Sequence, residues 1–233
     1  MHEYLEILSN DSAHNAKRQR HATIFERFGF KYDGVYDGNN LVGMIEKLTE
    51  IKEALKTQSV ILHVMTQKGK GYEFCEENPE ATHGISISSS DNYSKEYSEV
   101  LGATLSGLAE KDERIVAVTA AMTSSLGLGG FFEKYPGRSV DVGICEEHAT
   151  ILCASMAAAG LKPYYAVYST FLQRSYDEIV IDICSQNLPV TLCIDRAGIS
   201  GSDGETHQGV FDISFLSSVP NLAIAVPKDV KEF

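Results

Sequence analysis

The sequence contains no tryptophan, only six prolines and five cysteines, and no apolar run near the ~20 residues of a membrane-spanning helix. The number of cysteines is odd, and no two of them have CxxC spacing. These absences argue against a disulfide-rich secreted scaffold and against a structural zinc site of the usual spacing. The amino-terminal segment also lacks the apolar core of a secretory signal. We therefore expect a globular protein of the cytoplasm, whose thiols serve as small core residues.

Basic residues are also scarce, because 20 Lys and Arg face 32 Asp and Glu and give a formal charge of −12. Nucleic acids and anionic membranes bind to basic surfaces, so we expect neither as a partner. An anionic substrate would have to be bound by a few local cations. The 43% hydrophobic content is sufficient for a real core, which excludes a disordered tail.

Hydrophobic periodicity predicts two domains. Residues 39–55 carry apolar side chains at helical spacing, and residues 59–66 form a short β-branched run typical of a buried strand. The polar, serine-rich stretch at 76–92 has no periodicity and is the best linker candidate. We therefore predict one domain at residues 1–90 and a second at residues 91–233.

The second domain alternates strands and helices. Four or five such units predict an α/β fold with a mostly parallel sheet and helices on both faces. The pattern includes a long helix at residues 170–187 and a last strand at residues 221–227. Because ligands of such sheets bind at the carboxyl ends of the strands, the loops at those ends are the candidate functional segments.

Three of these loops carry polar or aromatic residues that suit a binding site. The residues are Glu146, Glu147 and His148 in the first, Tyr168, Phe171 and Arg174 in the second, and Asp203 and His207 in the third. Each loop read alone also has a purely structural interpretation. Carboxylates in a first helical turn interact with the helix dipole, an aromatic at a turn packs, and a lone Arg or His is solvated.

Read together, the loops resemble a known family. The segments VTAAM, DVGICEEHA, YSTFLQRSYDE and IDRAGISGSDGETHQGVFD, all between Arg114 and Asp229, are similar to the pyrimidine-binding domain of the 1-deoxy-D-xylulose-5-phosphate synthase family. These are thiamine diphosphate enzymes of the transketolase superfamily. The earlier segments FGFKYDGVYDG, LHVMTQKGKGY and ATHG resemble the end of the family's diphosphate-binding domain. The resemblance implies an enzyme that condenses pyruvate with D-glyceraldehyde 3-phosphate and releases CO₂.

The resemblance also assigns residues to the cofactor. Glu146 is implied as the carboxylic acid beside N1′ of the aminopyrimidine, where it favours the imino form that removes the C2 proton of the thiazolium. Phe171 is implied to stack on the aminopyrimidine. Glu147 stands where the family usually has Gln, which adds a second carboxylate that either raises a neighbouring pKa or points away.

On the substrate side, the resemblance implies Tyr168, Arg174, Asp203 and His207. A guanidinium such as that of Arg174 suits a phosphate or a carboxylate. Asp203 and His207 are implied to hold the aldehyde and its hydroxyl and to relay a proton. By the same resemblance His148, Arg196 and Glu147 are second-layer or structural residues.

In the first domain, His83 and Lys68 match positions that the family places near the cofactor. The implied catalytic set is therefore Glu146, His207 and His83, and Lys68 joins the cofactor-binding set. The family holds the diphosphate and Mg²⁺ with a GDG segment, which this sequence lacks, and Asn39 replaces a usual His. We therefore assign no metal ligand within the chain and expect these ligands outside it.

Three hypotheses follow from these observations. The chain is a part of the synthase that needs the missing diphosphate-binding segment, or a transketolase-like half-enzyme that acts with a partner chain. The third is a non-catalytic remnant of the fold. An α/β chain cut within its own domain exposes apolar edges, so we expect a homo-oligomer.

Overall fold

The computed structural model describes residues 24–79, 82, 93–201 and 203–233. The chain divides into two compact units, Met1–Ile87 and Ser88–Phe233. The predicted linker at residues 76–92 lies largely outside the described residues. No helix within the described ranges is long and apolar enough to cross a membrane.

The first unit contains a parallel pair of strands, β1 (Lys31–Asp37) and β2 (Val60–Met65), connected through helix α1 (Leu41–Ala54). Asn40 caps α1, because its side-chain Oδ1 accepts a hydrogen bond from the backbone N–H of Gly43 at 3.1 Å. The helix and strand that hydrophobic periodicity predicts here are both confirmed. A short helix, α2 (Glu73–Glu77), follows β2.

One side of α1 remains exposed. Ile51 is buried on the inward side. The outward stripe, which we call the α1 stripe, is apolar but more than half exposed and consists of Leu41, Ile45, Leu48 and Leu55. Because a two-stranded sheet is marginally stable alone, such an apolar stripe is typical of a surface that another polypeptide covers.

The second unit is built on a four-stranded parallel sheet with strand order β4-β3-β5-β6. Its strands are β3 (Ile115–Thr119), β4 (Ser139–Asp141), β5 (Lys162–Tyr168) and β6 (Thr191–Asp195). All five residues of β3 are buried. Since successive side chains of a strand point to opposite faces, both faces of the sheet are covered around β3. The predicted α/β fold with a mostly parallel sheet is confirmed.

Helices of very different length precede, connect and follow these strands. They are α3 (Tyr93–Ala109), α4 (Gly129–Lys134), α5 (Glu146–Ala158), α6 (Ser169–Leu172), α7 (Tyr176–Glu178) and α8 (Asp212–Leu216). The prediction of one regular α-helix at residues 170–187 is wrong. This segment consists of α6, a 3₁₀ turn (Gln173–Ser175), α7 and a π-helical segment (Ile179–Cys184).

The strand predicted at residues 221–227 is also wrong. Residues 222–227 carry neither helix nor strand, and Val226 is 72% exposed. An apolar β-branched run becomes a strand only where a neighbouring strand supplies hydrogen bonds, and within the described residues this segment has no ladder with β6. Hydrophobic periodicity indicates that the segment can form a strand, but it does not indicate whether a neighbouring strand is there to pair with it.

A close backbone approach fixes the loop after β3 against α3. A Cβ placed on Gly127 would lie 2.1 Å from the carbonyl oxygen of Ser98, and one on Gly102 would lie 2.0 Å from the carbonyl oxygen of Gly127. Gly127 also has a φ of +68°. Only glycine satisfies both the backbone conformation and the contact distance, so this pair holds the loop in place.

Candidate functional site

The candidate site lies at the carboxyl edge of the second unit's sheet. Strands β3, β4, β5 and β6 are parallel, so the loops after them emerge at the same edge. These loops contain all of the predicted residues between 146 and 207. The predicted residues therefore come from three separate loops, which follow β4, β5 and β6.

Glu146 is the first residue of α5 and is only 4% exposed. Glu147 is half-buried and His148 is exposed, so the three residues of this motif have different environments. The first turn of a helix favours a carboxylate, because unpaired N–H groups give it a partial positive charge. Burial next to that turn holds the carboxyl group of Glu146 at the base of the loop cluster rather than in open solvent.

Asp141 organises the turn that leads to Glu146. Its Oδ1 accepts hydrogen bonds from the backbone N–H groups of Ala121 at 2.8 Å and Gly143 at 2.9 Å. Its Oδ2 accepts one from the hydroxyl of Thr123 at 2.8 Å. One carboxylate therefore connects the loop after β3 with the loop after β4. Sequence reasoning missed this residue, because two of its partners, Ala121 and Thr123, lie about 20 positions away.

Four side chains form a continuous stack in the second and third loops. The ring centroids of Tyr168 and Phe171 are 5.9 Å apart with an interplanar angle of 28°. His207 meets Phe171 edge-on at 5.3 Å. The guanidinium carbon of Arg196 lies over the ring of Tyr168, 4.1 Å from its centroid. The structure thus brings together three of the predicted residues and adds Arg196 to them.

Arg196 also holds Asp203. The Nη1 of Arg196 and the Oδ1 of Asp203 are 2.5 Å apart. The second carboxylate oxygen of Asp203 is buried and has no hydrogen-bond partner among the described residues. Such a group is costly unless something pairs with it, which makes this oxygen a candidate contact for a ligand. The backbone of Arg196 is left-handed, with φ of +52°, and this conformation is not readable from its residue type.

Gln208 and two backbone bonds give the glycine-rich third loop a defined shape. The Oε1 of Gln208 accepts from the N–H of Ser200 at 2.8 Å, and its Nε2 donates to the carbonyls of Ser200, Asp203 and Gly204. Gly198 and Gly209 exchange backbone hydrogen bonds of 2.7 and 2.8 Å. Over its described residues the loop is therefore an ordered element rather than a solvated turn; Ser202 lies outside the described residues.

The third loop is also fastened to the second. The hydroxyl of Ser169 donates to the buried carboxylate of Asp212 at 2.9 Å, and that of Thr170 donates to the carbonyl of Thr206 at 3.3 Å. These bonds fix His207 against Phe171. Sequence reasoning found the two loops but missed both connections, because serine and threonine at a turn carry no distinctive pattern.

The structure does not draw all predicted residues into this cluster. Arg174 is exposed on the 3₁₀ turn and makes no hydrogen bond or ion pair with a described residue. Lys68 is exposed in the first unit. His83 lies outside the described residues. His63, predicted to be structural, sits in β2, where its Nδ1 is 2.6 Å from the hydroxyl of Tyr32.

Burial keeps the neighbouring thiols and phenols uncharged. It raises the pKa of Cys153 and that of Cys193 to about 12, and it also raises the pKa of Tyr168. All five cysteines are free, and Cys153 and Cys184 belong to the core, as expected. Cys145 is exposed, which the expectation of core thiols did not anticipate.

The residues present fit the pyrimidine half of a thiamine cofactor. Glu146 offers a buried carboxyl group, and Phe171 offers a half-buried ring at the same edge. The unpaired oxygen of Asp203 adds a hydrogen-bonding position. For a metal the fit is absent: no group of three His, Cys, Asp or Glu side chains within the described ranges could hold one.

Comparisons with known proteins agree with this geometry. The chain is 52% identical over 216 residues to a 1-deoxy-D-xylulose-5-phosphate synthase from Clostridium perfringens (strain SM101 / Type A), covering 89% of this chain and 34% of that relative. It is 47% identical over 238 residues to one from Clostridium kluyveri (strain NBRC 12016), covering 100% of this chain and 37% of that relative. The chain thus spans about a third of the length of these curated relatives.

Among solved structures, a split gene transketolase in an inactive β4 tetramer is similar, with a TM-score of 0.51 and 26% identity. The match covers 57% of this chain and 44% of that chain. Residues 2–66 match the family model for 1-deoxy-D-xylulose-5-phosphate synthase, which confirms the resemblance seen in the first unit. Residues 94–233, more than half of the chain, match the transketolase pyrimidine binding domain, and the chain therefore belongs to that family.

Proposed function

We propose that this chain is the pyrimidine-binding part of a 1-deoxy-D-xylulose-5-phosphate synthase. The complete enzyme condenses pyruvate with D-glyceraldehyde 3-phosphate and releases CO₂. The observation that carries the proposal is the buried Glu146 at the same sheet edge as the Phe171–His207 pair. The names of the relatives, at about half identity over most of the chain, support the choice of this reaction.

Thiamine diphosphate, when bound, supplies a carbon nucleophile at C2 of its thiazolium ring. Glu146 would hold a proton at N1′ of the aminopyrimidine and so favour the imino form. Its 4% exposure supports this role, because a buried carboxyl group can hydrogen-bond to the heterocycle without competition from water. Phe171 would stack on the flat heterocycle and fix its plane.

The Arg196–Asp203 pair and His207 would face the substrates. The unpaired Oδ2 of Asp203 would accept a hydrogen bond from the substrate hydroxyl, and His207 would move a proton at the aldehyde oxygen. Tyr168 contacts both Arg196 and Phe171 and would line the base of this region. Arg174, being exposed and unpaired among the described residues, would bind the phosphate of the incoming aldehyde.

The first unit would contribute to the diphosphate side. We propose domains at residues 1–90 and 91–233, with Lys68 and His83 near the cofactor in the complete enzyme. Because the sequence lacks the GDG segment by which the family holds the diphosphate and Mg²⁺, the metal ligands would come from a part of the enzyme outside this chain. We also propose a cytoplasmic location, which the five free cysteines support.

A second candidate is a transketolase-like half-enzyme that acts with a partner chain. The solved relative described as a split gene transketolase and an inactive β4 tetramer supports it, as does the exposed α1 stripe. A homo-oligomer is part of both candidates. A non-catalytic remnant is the weakest alternative, because Glu146, Asp203 and His207 are all present.

Calorimetric titration with thiamine diphosphate and Mg²⁺ tests the proposal. For the chain alone we expect weak or undetectable binding, because stacking and one carboxyl hydrogen bond do not replace the metal as the anchor of the diphosphate. Adding a polypeptide that supplies the remaining two thirds of a relative should produce tight binding. Micromolar affinity for the chain alone would contradict the assignment of the diphosphate site to another part.

A further inference from the structure

Arg196 has an unusual backbone conformation for a residue of its type. Its φ of +52° lies in the left-handed region, which residues with a Cβ seldom adopt. A residue in this region is strained, and it stays there only when the contacts around it hold it in place. The backbone of Arg196 therefore calls for a neighbouring group that stabilises it.

The preceding residue, Asp195, makes such a contact. Its Oδ1 accepts a hydrogen bond from the backbone N–H of Arg196 at 2.7 Å. Asp195 is the last residue of β6 and pairs in register with Tyr168, the last residue of β5. The carboxylate is therefore attached to an ordered sheet, and it holds the first residue of the loop that leaves this sheet.

The position of Asp195 is costly for a charged group. Burial raises the pKa of this carboxyl group above its usual range, although the backbone N–H and the guanidinium of Arg196 oppose the shift. An apolar residue at the end of β6 would avoid this cost. The hydrogen bond to Arg196 gives a reason for a carboxylate at this place, because it satisfies the group and fixes the strained backbone at the same time.

The turn at Arg196 determines where its side chain and the following loop lie. The guanidinium carbon is 4.1 Å from the centroid of Tyr168, and Nη1 bonds to Oδ1 of Asp203. The chain beyond the turn reaches Gly209, which exchanges backbone hydrogen bonds with Gly198. A Cβ on Gly209 would lie 2.2 Å from the carbonyl oxygen of Arg196, so the backbones pack tightly here. The conformation of one residue thus sets both the course of the third loop and the position of the guanidinium.

We propose that Asp195 is a positioning residue, whose carboxylate holds Arg196 in the left-handed conformation and so directs its guanidinium over Tyr168 and against Asp203. Asp195 itself would touch neither the cofactor nor the substrates. Its consequence for the substrates rests on the function proposed above, because there the Arg196–Asp203 pair faces them. An ordered guanidinium would hold Asp203 in one orientation before the acceptor aldehyde arrives.

Two substitutions of Asp195 separate the hydrogen bond from the charge. Asp195→Asn removes the charge but keeps an oxygen that can accept from the N–H of Arg196, whereas Asp195→Ala removes both. Glu205→Ala is the matched control in the same loop, because Glu205 is exposed and makes no hydrogen bond or ion pair with a described residue. We expect Asp195→Asn and Glu205→Ala to resemble the parent and Asp195→Ala to differ from it.

NMR of the chain alone tests the position of the guanidinium without any cofactor. Protons of the Arg196 side chain that lie over the ring of Tyr168 should resonate upfield because of the ring current, and their loss in Arg196→Lys assigns them. We expect this upfield shift to persist in Asp195→Asn and Glu205→Ala and to be largely lost in Asp195→Ala. If Asp195→Ala does not fold, Asp195→Glu replaces it, because the added methylene group moves the acceptor oxygen away.

Two results of the NMR comparison would overturn the positioning role. An upfield shift that persists in Asp195→Ala would show that the guanidinium keeps its place without the carboxylate. A shift that is lost equally in Asp195→Asn and Asp195→Ala would show that the charge, and not the hydrogen bond to the backbone, positions the side chain.

The second test uses the chain assembled with a polypeptide that supplies the remaining part of a relative. In Asp195→Ala we expect the KM for D-glyceraldehyde 3-phosphate to rise about threefold to tenfold, the effect of one lost hydrogen bond. C2 proton exchange should stay within about twofold, because it needs no acceptor aldehyde. Asp195→Asn and Glu205→Ala should keep both values within about twofold of the parent. An equal loss of C2 exchange would contradict a role confined to the substrate side.

The two tests also separate this inference from the proposed function. If the assembled parent forms no product, the proposed function fails, while the NMR comparison still decides the role of Asp195. If the parent is active and Asp195→Ala matches it in both the Arg196 shift and the KM, only the role of Asp195 fails.

Discussion

At the scale of single residues, the site depends on which carboxyl group of a pair is buried. Glu146 is 4% exposed, whereas its neighbour Glu147 is half-buried at the next helical position. Adjacent residues of a helix point about 100° apart, so only one of them can face a given ligand. The family resemblance and the burial pattern select the same residue, although they are independent observations.

Substitution of the two glutamates should therefore have very different effects. In the assembled enzyme we expect Glu146→Ala to abolish C2 proton exchange, because no other carboxyl group reaches N1′. Glu147→Gln, the residue usual in the family, should leave the exchange rate within about twofold, as expected for a side chain that makes no contact in the transition state. If exchange is lost in Glu147→Gln and kept in Glu146→Ala, the assignment is wrong by one residue.

The residues of the outer loops should act on the acceptor aldehyde instead. A charge-assisted contact contributes about 1.5–3 kcal/mol, so we expect Arg174→Ala, Asp203→Ala and His207→Ala to raise the KM for D-glyceraldehyde 3-phosphate by about tenfold to a hundredfold. C2 exchange needs no acceptor and should stay within a few-fold of the parent. Steady-state kinetics and exchange measured on the same preparations check both values. Parallel losses would mean that these residues shape the cofactor pocket.

The sequence predicts most of these residues but not their connections. The family resemblance assigns site roles to four residues that stand in distinctive sequence motifs: Glu146, Phe171, Asp203 and His207. The sequence predicts only a structural role for Arg196, because nothing in it indicates the left-handed backbone at this residue or the contact of its guanidinium with Tyr168. The loop connections made by Ser169 and Thr170 depend on partners more than 30 residues away.

At the scale of secondary structure elements, the position of the site depends on close backbone contacts. The loop after β3 reaches α3 through Gly127 and Gly102, at distances that leave no room for a Cβ. This loop also holds Ala121 and Thr123, the partners of Asp141. The packing of α3 is thus linked through one loop to the turn before Glu146.

Gly127→Ala should lower the free energy of unfolding by about 1–3 kcal/mol, because the added methyl group meets the carbonyl of Ser98 in a strained backbone conformation. Gly107→Ala is the matched control. A Cβ on Gly107 meets nothing within 4 Å in the helix α3, so this change should stabilise the chain by about 0.5–1 kcal/mol. Urea unfolding of the two variants measures the difference. Equal stabilities would show that the contact at Gly127 is not tight.

The sequence predicts a helix or strand correctly where the local hydrophobic pattern alone determines it. Helix α1 and strand β2 follow from periodicity alone, and the alternation of strands and helices predicts the parallel sheet. The strand expected at residues 221–227 fails, because a strand needs a neighbour that no local pattern supplies. The π-helical segment Ile179–Cys184 escaped prediction for a similar reason, since its hydrophobic spacing is close to that of an α-helix.

At the scale of the whole molecule, the chain is shorter than the relatives whose reaction we propose for it. It covers about a third of the length of its curated relatives, and among its described residues it offers no set of metal ligands. Its first unit exposes the apolar α1 stripe beside a sheet of two strands. The difference in length is the reason why we propose that another polypeptide completes the active site.

The most direct test is the formation of 1-deoxy-D-xylulose 5-phosphate from pyruvate and D-glyceraldehyde 3-phosphate by a reconstituted mixture. One component is this chain, and the other is the remaining part of a relative, with thiamine diphosphate and Mg²⁺ present. We predict product and CO₂ from the mixture, none from either component alone, and none when the chain carries Glu146→Ala. Product formation by a mixture that contains the Glu146→Ala chain at the parent rate would contradict the account.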